Sequence, residues 1–321
     1  MSSRSFKFAI GTLAAAVFST AATATDLTFF KTVFNTDFTA VGIGGLRNGA
    51  GTATLNLSGV TGPVSEAYLY WHGPTNIATA DAATANSNIS FAGTAITGTY
   101  LGISSDNCWG FANSVAYRAD VTSLITGNGN YSLANFIKTG VQINGFSLIV
   151  FFDDGDDTNN RDVVMFNGND SNINNPFDAP GWNITLSGIN YTDGTANLQF
   201  HVADGQTFAD DAIRINGDVF VPAGNVFQGT NAQNGGSGFP GNGLLWDINT
   251  YNVTSLLNPG LNTLNITTGV ASDCLACVLI AIDLPAGAAP PPPNGTPEPG
   301  SLALLGGALL AGFGARRLRR K

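Results

Sequence analysis
Ten residues near the middle of the chain, Asp153-Asp154-Gly155-Asp156-Asp157-Thr158-Asn159-Asn160-Arg161-Asp162, form its densest set of groups able to do chemistry. The carboxylates outnumber the single Arg and repel one another unless something neutralises them. Hard cations such as Ca2+ take about six to eight oxygens from carboxylates, amides and backbone carbonyls. Asp153, Asp154, Asp156, Asp157, Asn160 and Asp162 offer such a set, so Ca2+ is the candidate cofactor. The spacing is not that of an EF-hand, because the Gly and the closing Glu are misplaced. The competing reading is a solvated linker loop, since Asp and Asn favour turns whatever they bind. Asp210-Asp211 is a weaker acidic pair of the same kind.

The chain has two histidines. Period-2 alternation in Ala67-Tyr68-Leu69-Tyr70-Trp71-His72 sets Ala67, Leu69 and Trp71 on one face and Tyr68, Tyr70 and His72 on the other. Asn197, Gln199 and His201 repeat that second face further on, so it reads as solvated, with each His an ordinary surface residue or a ligand contact at a strand end. Among the tryptophans, Trp71 and Trp246 lie in alternating apolar strands and read as core. Trp109 and Trp182 lie among Gly, Asn and Pro, which makes them the candidates for exposed, glycan-stacking positions, against the alternative of packed loop anchors. Catalytic motifs are missing: there is no Gly-x-Ser-x-Gly, no His-Glu-x-x-His and no phosphate-cradling loop. A paired-carboxylate hydrolase would have to use two Asp, because Glu occurs only at Glu66 and Glu298. The chain therefore reads as non-enzymatic, with an Asp-dependent hydrolase as the minor alternative.

Cys108, Cys274 and Cys277 allow one disulfide with one thiol left over. A Cys274–Cys277 bridge is the local option. Cys108–Cys274 is preferred, because Cys277 opens the apolar run Val278-Leu279-Ile280-Ala281-Ile282 and reads as core. Neither a Zn site nor a redox centre is expected, for want of a nearby His or a following helix.

The elements that must position these residues are short alternating or apolar runs, separated by Gly, Asn and Asp at roughly ten-residue intervals, which argues for an all-β fold. The runs also repeat. Residues 55–72 align with 184–201, 89–96 with 213–220, 121–125 with 253–257, and 147–152 with 278–283, in the same order throughout. The chain reads as a tandem duplication, with one sandwich over 25–157 and a second over 158–285. The turn before Asn-x-Leu and the Val-Thr-x-Leu run resemble the galactose-binding-like jelly roll of secreted carbohydrate-active and adhesive proteins. That resemblance implies two jelly-roll-like β-sandwiches, and it names no ligand.

Both ends speak of export. Arg4 and Lys7, the apolar run Phe8 to Phe18 and Ala22-Thr23-Ala24 form a signal peptide over 1–24. Residues 286–296, with Pro290 to Pro293, form a stiff Pro-rich linker. Residues 297–321 follow a fixed order: Pro297-Glu298-Pro299, an uncharged apolar helix, then a basic end that includes Arg316 and Arg317. From Ser301 to Ala315 a helix reaches roughly 22 Å, short for a hydrocarbon core of about 30 Å. The three-part tail resembles the sorting signal of exosortase-processed bacterial proteins, the P-E-P C-terminal class. The resemblance implies a membrane-embedded processing enzyme as partner, transient anchoring in the inner membrane, and delivery to the surface or extracellular matrix of a Gram-negative bacterium. Between the two targeting ends, 21 acidic residues face 6 basic ones, a net charge of about −15. Nucleic acid and anionic lipid are thus poor partners for the mature body, and cations better ones. An exported structural or adhesive protein, partnered by polysaccharide or another matrix protein, is the function expected. A polysaccharide-binding module is the alternative.

Overall fold
The computed structural model describes residues 26–288, apart from Asn48, Asn107, Asp178 and residues 237–241. The signal peptide, residues 289–296 of the Pro-rich linker and the P-E-P tail, with Pro297, Glu298, Pro299, Arg316 and Arg317, lie outside the described residues. The fold is all-β, as the alternation requires. The first half contributes β1 (Thr28–Gly44), β2 (Thr52–Leu57), β3 (Val64–Thr75), β4 (Asn88–Phe91), β5 (Thr94–Thr97), β6 (Thr99–Ser104), β7 (Asn113–Asp120), β8 (Gly129–Ala134) and β9 (Gly145–Phe152). The second contributes β10 (Arg161–Ser171), β11 (Trp182–Tyr191), β12 (Asn197–Ala203), β13 (Ile213–Ile215), β14 (Asp218–Val221), β15 (Gln233–Asn234), β16 (Trp246–Asn252), β17 (Gly260–Thr268) and β18 (Ala276–Pro285).

Two four-stranded sheets, β2-β8-β4-β5 and β11-β17-β13-β14, flank one ten-stranded sheet. The large sheet runs β16-β12-β18-β10-β1-β9-β3-β7-β6, with β15 added beside β1. Strand β1 is its joint. Thr28 to Thr36 pair with β10, and Asp37 to Ile43 pair with β9. The register breaks between Val33 and Thr36, where Asn35 takes a left-handed φ of 49°. A bulge of this kind bends a strand and raises its local twist. The large sheet folds over there, bringing β10 against β6 and β7, and β18 against β3.

The result is four stacked layers. In the outer strands the pattern alternates: Trp182, Ile184 and Leu186 of β11 are buried while Asn183, Thr185 and Ser187 are exposed. Strand β9 is buried along its whole length and β18 along nearly all of it, because each has a sheet on both faces. One core, with Leu55, Trp71, Phe91, Tyr117 and Phe146, fills the first sandwich, and another, with Trp182, Leu186, Phe200 and Ile280, fills the second. A third cluster, including Tyr70, Phe151, Met165, Trp246 and Val278, lies between the inner layers. Burying each of these large side chains contributes roughly 1.5–3 kcal/mol.

The repeated residues have a mechanical reason to recur. In the first half, Val121 N–H donates to Ala67 O at 2.9 Å, Ala67 N–H donates to Thr122 Oγ1 at 2.9 Å, and Thr122 N–H donates to Asp120 Oδ1 at 2.9 Å. In the second half, Val253, Ala196, Thr254 and Asn252 make the same three bonds at 2.9, 2.9 and 3.0 Å. Each Thr therefore opens a single 3-10 turn and ties it to a neighbouring strand. The paired hairpins β4–β5 and β13–β14 turn on Ala92-Gly93 and Asn216-Gly217, all four at positive φ, as two-residue loops of this hand demand.

Candidate functional site
The polar residues that sequence reading singles out do not share one cleft. Several gather in the seam between the inner layers, where side chains from both halves meet. Ser147 of β9 accepts a bond from Trp246 Nε1 at 2.8 Å, and its Oγ lies 2.8 Å from His201 Nδ1. His201 Nε2 lies 2.9 Å from Gln199 Oε1. Indole N–H can only donate and an amide oxygen can only accept, which fixes the direction of the whole chain. Ser147 passes its proton toward Nδ1, and Nε2–H donates to Gln199. The Ser–His distance is that of a nucleophile and its base. Both residues are fully buried, however, and Trp246 occupies the hydroxyl oxygen. The pair holds two layers together.

The expectation that the histidine faces are solvated is overturned, because His72 and His201 are each 0% exposed. The alternation in Tyr68-Tyr70-His72 is real, but that face meets the other inner layer. Burial pushes both imidazoles down, to about 3, so they stay neutral near neutral pH. His72 has Asn144 and Asn169 beside its ring, and neither reaches hydrogen-bond geometry with it. Asn169 instead donates across the seam to Gly102 O at 3.2 Å and Ser114 O at 3.3 Å.

At one end of the seam Trp109 lies under the Arg47 guanidinium, 3.6 Å from the ring centroid. Its indole N–H donates to the Asp204 carboxylate at 2.7 Å, and Asn144 Nδ2 reaches Asp204 Oδ1 at 2.6 Å. Cys108, beside Trp109, is joined to Cys274, with Cα atoms 6.1 Å apart. The long bridge preferred from the sequence is thus the one present, and it staples one half of the chain to the other. Cys277 is free and buried. Trp109 is half-buried with one face taken by Arg47. Trp182 departs from the exposed position expected of it: it is fully buried and stacks on Phe200 with centroids 6.2 Å apart. Its Gly-Pro context marks the start of a strand whose first side chain points into the core.

Four buried carboxylates escaped sequence reading as a group, because they lie far apart along the chain. Burial raises Asp210 and Asp247 to about 6, Asp273 to about 7, and Asp204 well above the ordinary range. Each is at most 1% exposed. Three of them order the long connections after β12. Asp210 Oδ2 accepts from Val226 N and Phe227 N, both at 2.8 Å. Asp247 accepts from Gly229, Thr230 and Asn231 N–H groups at 2.6, 3.1 and 3.3 Å. Asp273 Oδ2 accepts from Gln206 N at 2.9 Å. These bonds offset part of the burial penalty and leave the carboxylates facing backbone. Asp211 accepts from Ala212 N at 2.7 Å.

In the acidic loop, Asp153, Asp154, Asp156 and Asp157 are exposed. Gly155, Asp156 and Thr158 N–H groups donate to the carboxylates two residues before them at 2.9, 2.8 and 3.0 Å, a run of Asx turns. Asp162 is separate from that run: buried, it accepts from Asn35 N at 2.9 Å and Gly287 N at 2.8 Å. Asn160 is buried beside it and donates to Asn35 O at 3.4 Å. Four of the six candidate Ca2+ ligands therefore face solvent in the turn, Asp162 is a structural pin, and Asn160 links the two, donating also to Asp157 Oδ1 at 3.4 Å. Among the described residues, no three His, Cys, Asp or Glu side chains converge as a metal site.

One shallow groove opens beside the seam, about 440 Å3 in volume, where β1 faces β12, β16 and the segment leading into β15. Among the described residues, no charged side chain lines it. Among the described residues, no helix is long and apolar enough to cross a membrane. No protein-family model matches this chain, and a comparison with curated proteins found no significant match.

Proposed function
We propose that this chain is an exported protein of the cell surface or extracellular matrix, structural or adhesive in role and sorted through its C-terminal signal. Its body is two tandem jelly-roll-like sandwiches. The observation that carries the reading is the Cys108–Cys274 bridge, which joins residues 166 apart and ties the two halves together. A structural disulfide of this kind belongs to an oxidising compartment. The seam supports the same reading: its hydrogen bonds link the inner layers instead of opening to substrate. The four carboxylates with raised pKa values serve backbone N–H groups or the Trp109 indole. That use supports a non-enzymatic role over an Asp-dependent hydrolase.

Intact mass measurement of surface-extracted protein tests the proposal. The expected mass lacks residues 1–24 and the basic end, and rises by two hydrogen atoms when a thiol reductant opens the disulfide. A chain still ending at Lys321 would remove the sorting proposal. A fully reduced Cys108 in that material would remove the oxidising compartment. The alternative, a polysaccharide-binding module, has one observation in its favour: the uncharged groove beside the seam.

A further inference from the structure
We infer that the groove between β1 and β16 is a binding site for a neutral polysaccharide strand. The inference rests on the polysaccharide-binding reading and gives it a place in the molecule. The volume of about 440 Å3 lies within the roughly 300–1,000 Å3 of ordinary ligand sites. The floor is apolar and close. Ala40, Ala232 and Ile248 are partly buried against the seam core, with Trp246 beneath them. At Gly42 a Cβ would stand 2.9 Å from Trp246 Cδ1 and 3.1 Å from Ile248 Cδ1. A larger residue there would have to displace the indole that supports the floor.

The rim is made of amides and a hydroxyl: Gln199, Asn231, Gln233 and Thr250. Each is held from behind, so little ordering is needed on binding. Gln199 accepts from His201 and donates to Thr250 Oγ1 at 3.1 Å. Gln233 accepts from Asn56 N at 2.8 Å and donates to Asn56 O at 2.6 Å, closing a ring of two bonds with β2. The backbone of Asn231 hangs on Asp247 at 3.3 Å. Every amide keeps a second hydrogen or a second lone pair for a ligand. Mixed donors and acceptors without charge, around an apolar floor, match hydroxyls and C–H faces of a neutral sugar. The net negative charge of the chain opposes uronic acids and phosphorylated glycans. Both halves build the site: Ala40, Val41 and Gly42 come from the first, and Ala232, Ile248 and the whole rim from the second. The groove therefore exists only when the two inner layers are packed together.

The test uses the full exported chain with its disulfide intact. Neutral pentasaccharides of the β-glucan, α-glucan, xylan, mannan and galactan classes are titrated by calorimetry, with pentagalacturonate as the anionic probe. Tryptophan fluorescence is followed in parallel, because Trp246 underlies the floor. Saturable binding of at least one neutral class is expected. Thr250→Arg at the rim and Ala232→Arg in the floor, each of which puts a long side chain into the groove, should each weaken it about tenfold or more. Their melting curves, recorded beside the titrations, must match the parent, and a variant that melts early is replaced by Thr250→Gln. Neutral binding of equal strength in the filled variants would move the glycan to another surface, overturning the groove and leaving the glycan reading in place. Binding of pentagalacturonate alone would overturn the neutral class. Silence across the whole panel would overturn both the groove and the polysaccharide-binding reading.

Discussion

Ser147 Oγ and His201 Nδ1, one from each half of the chain, lie 2.8 Å apart inside a seam closed to solvent. The bond continues to Trp246 on one side and Gln199 on the other, so one hydroxyl couples the buried layers to the groove rim. Removing it should be costly. Ser147→Ala leaves the Trp246 N–H and His201 Nδ1 without partners, and each buried group so abandoned costs about 1–3 kcal/mol. The denaturant midpoint should fall accordingly, while Gln199→Ala, which abandons the single His201 Nε2–H where Ser147→Ala abandons two groups, should move it less. Equal effects would show that the chain of bonds does not carry the seam.

The disulfide should matter as much. Closing 166 residues in the unfolded chain is worth roughly 5 kcal/mol in the chain-entropy account. The Cys108→Ser, Cys274→Ser double variant should lose stability of that order in equilibrium unfolding. Cys277→Ser should not reproduce the loss through any change in cross-linking, because its thiol is unpaired.

The halves should fail to fold apart. Residues 28–33 lie in the sheet of the second sandwich, and Gln233 and Asn234 add to that of the first. Expressed alone, residues 26–157 would expose Tyr70, Ile149 and Phe151. We expect aggregation or the absence of a cooperative melt for either half. A sharp, independent transition in residues 26–157 would contradict this.

The pH dependence follows from the two kinds of buried group. Asp210, Asp247 and Asp273 have raised pKa values, so the folded state holds protons that the unfolded state has released. Their contribution is complete below the unfolded value near 3.8 and lost as pH rises through about 6 to 7. His72 and His201, lowered to about 3, act oppositely: their contribution is complete above about 6.5 and lost toward 3. Asp204 adds to the carboxylate side, which outnumbers the histidines. The melting temperature at pH 5 should therefore exceed that at pH 8. Asp273→Asn should flatten the difference.

The acidic loop gives a last prediction. If its carboxylates serve the Asx turns, Asp154→Asn keeps the acceptor for Asp156 N–H and gives up only the exposed bond from Asn159 Nδ2, so the melting temperature in chelator should change little. Millimolar Ca2+ should then add nothing to either protein. A rise with Ca2+ that the variant lacks would assign the loop to a cation.

Much of this protein is legible in its residues because the forces concerned are local. Alternation in β2, β8 and β11 marks strands with one wet face, and Asn216-Gly217 marks a hairpin. The matching of Thr122 with Thr254 reflects a turn that any such sandwich needs in order to tie one strand to the next. The free, buried Cys277 follows from the apolar run it opens. What the sequence could not decide is what each face meets. A row of Tyr68, Tyr70 and His72 has the same pattern whether it lies against water or against a second polar layer. The strand period records which side chains share a side and carries no information about what covers them. Only the fold-over of β1 at Asn35 brings Ser147 to His201 and Trp109 to Asp204, residues 54 and 95 positions apart. It also makes the groove from two halves, while Trp182 turns inward inside the second sandwich, onto Phe200 and Phe227. Burial is a property of the assembled layers, and at that range only packing determines it.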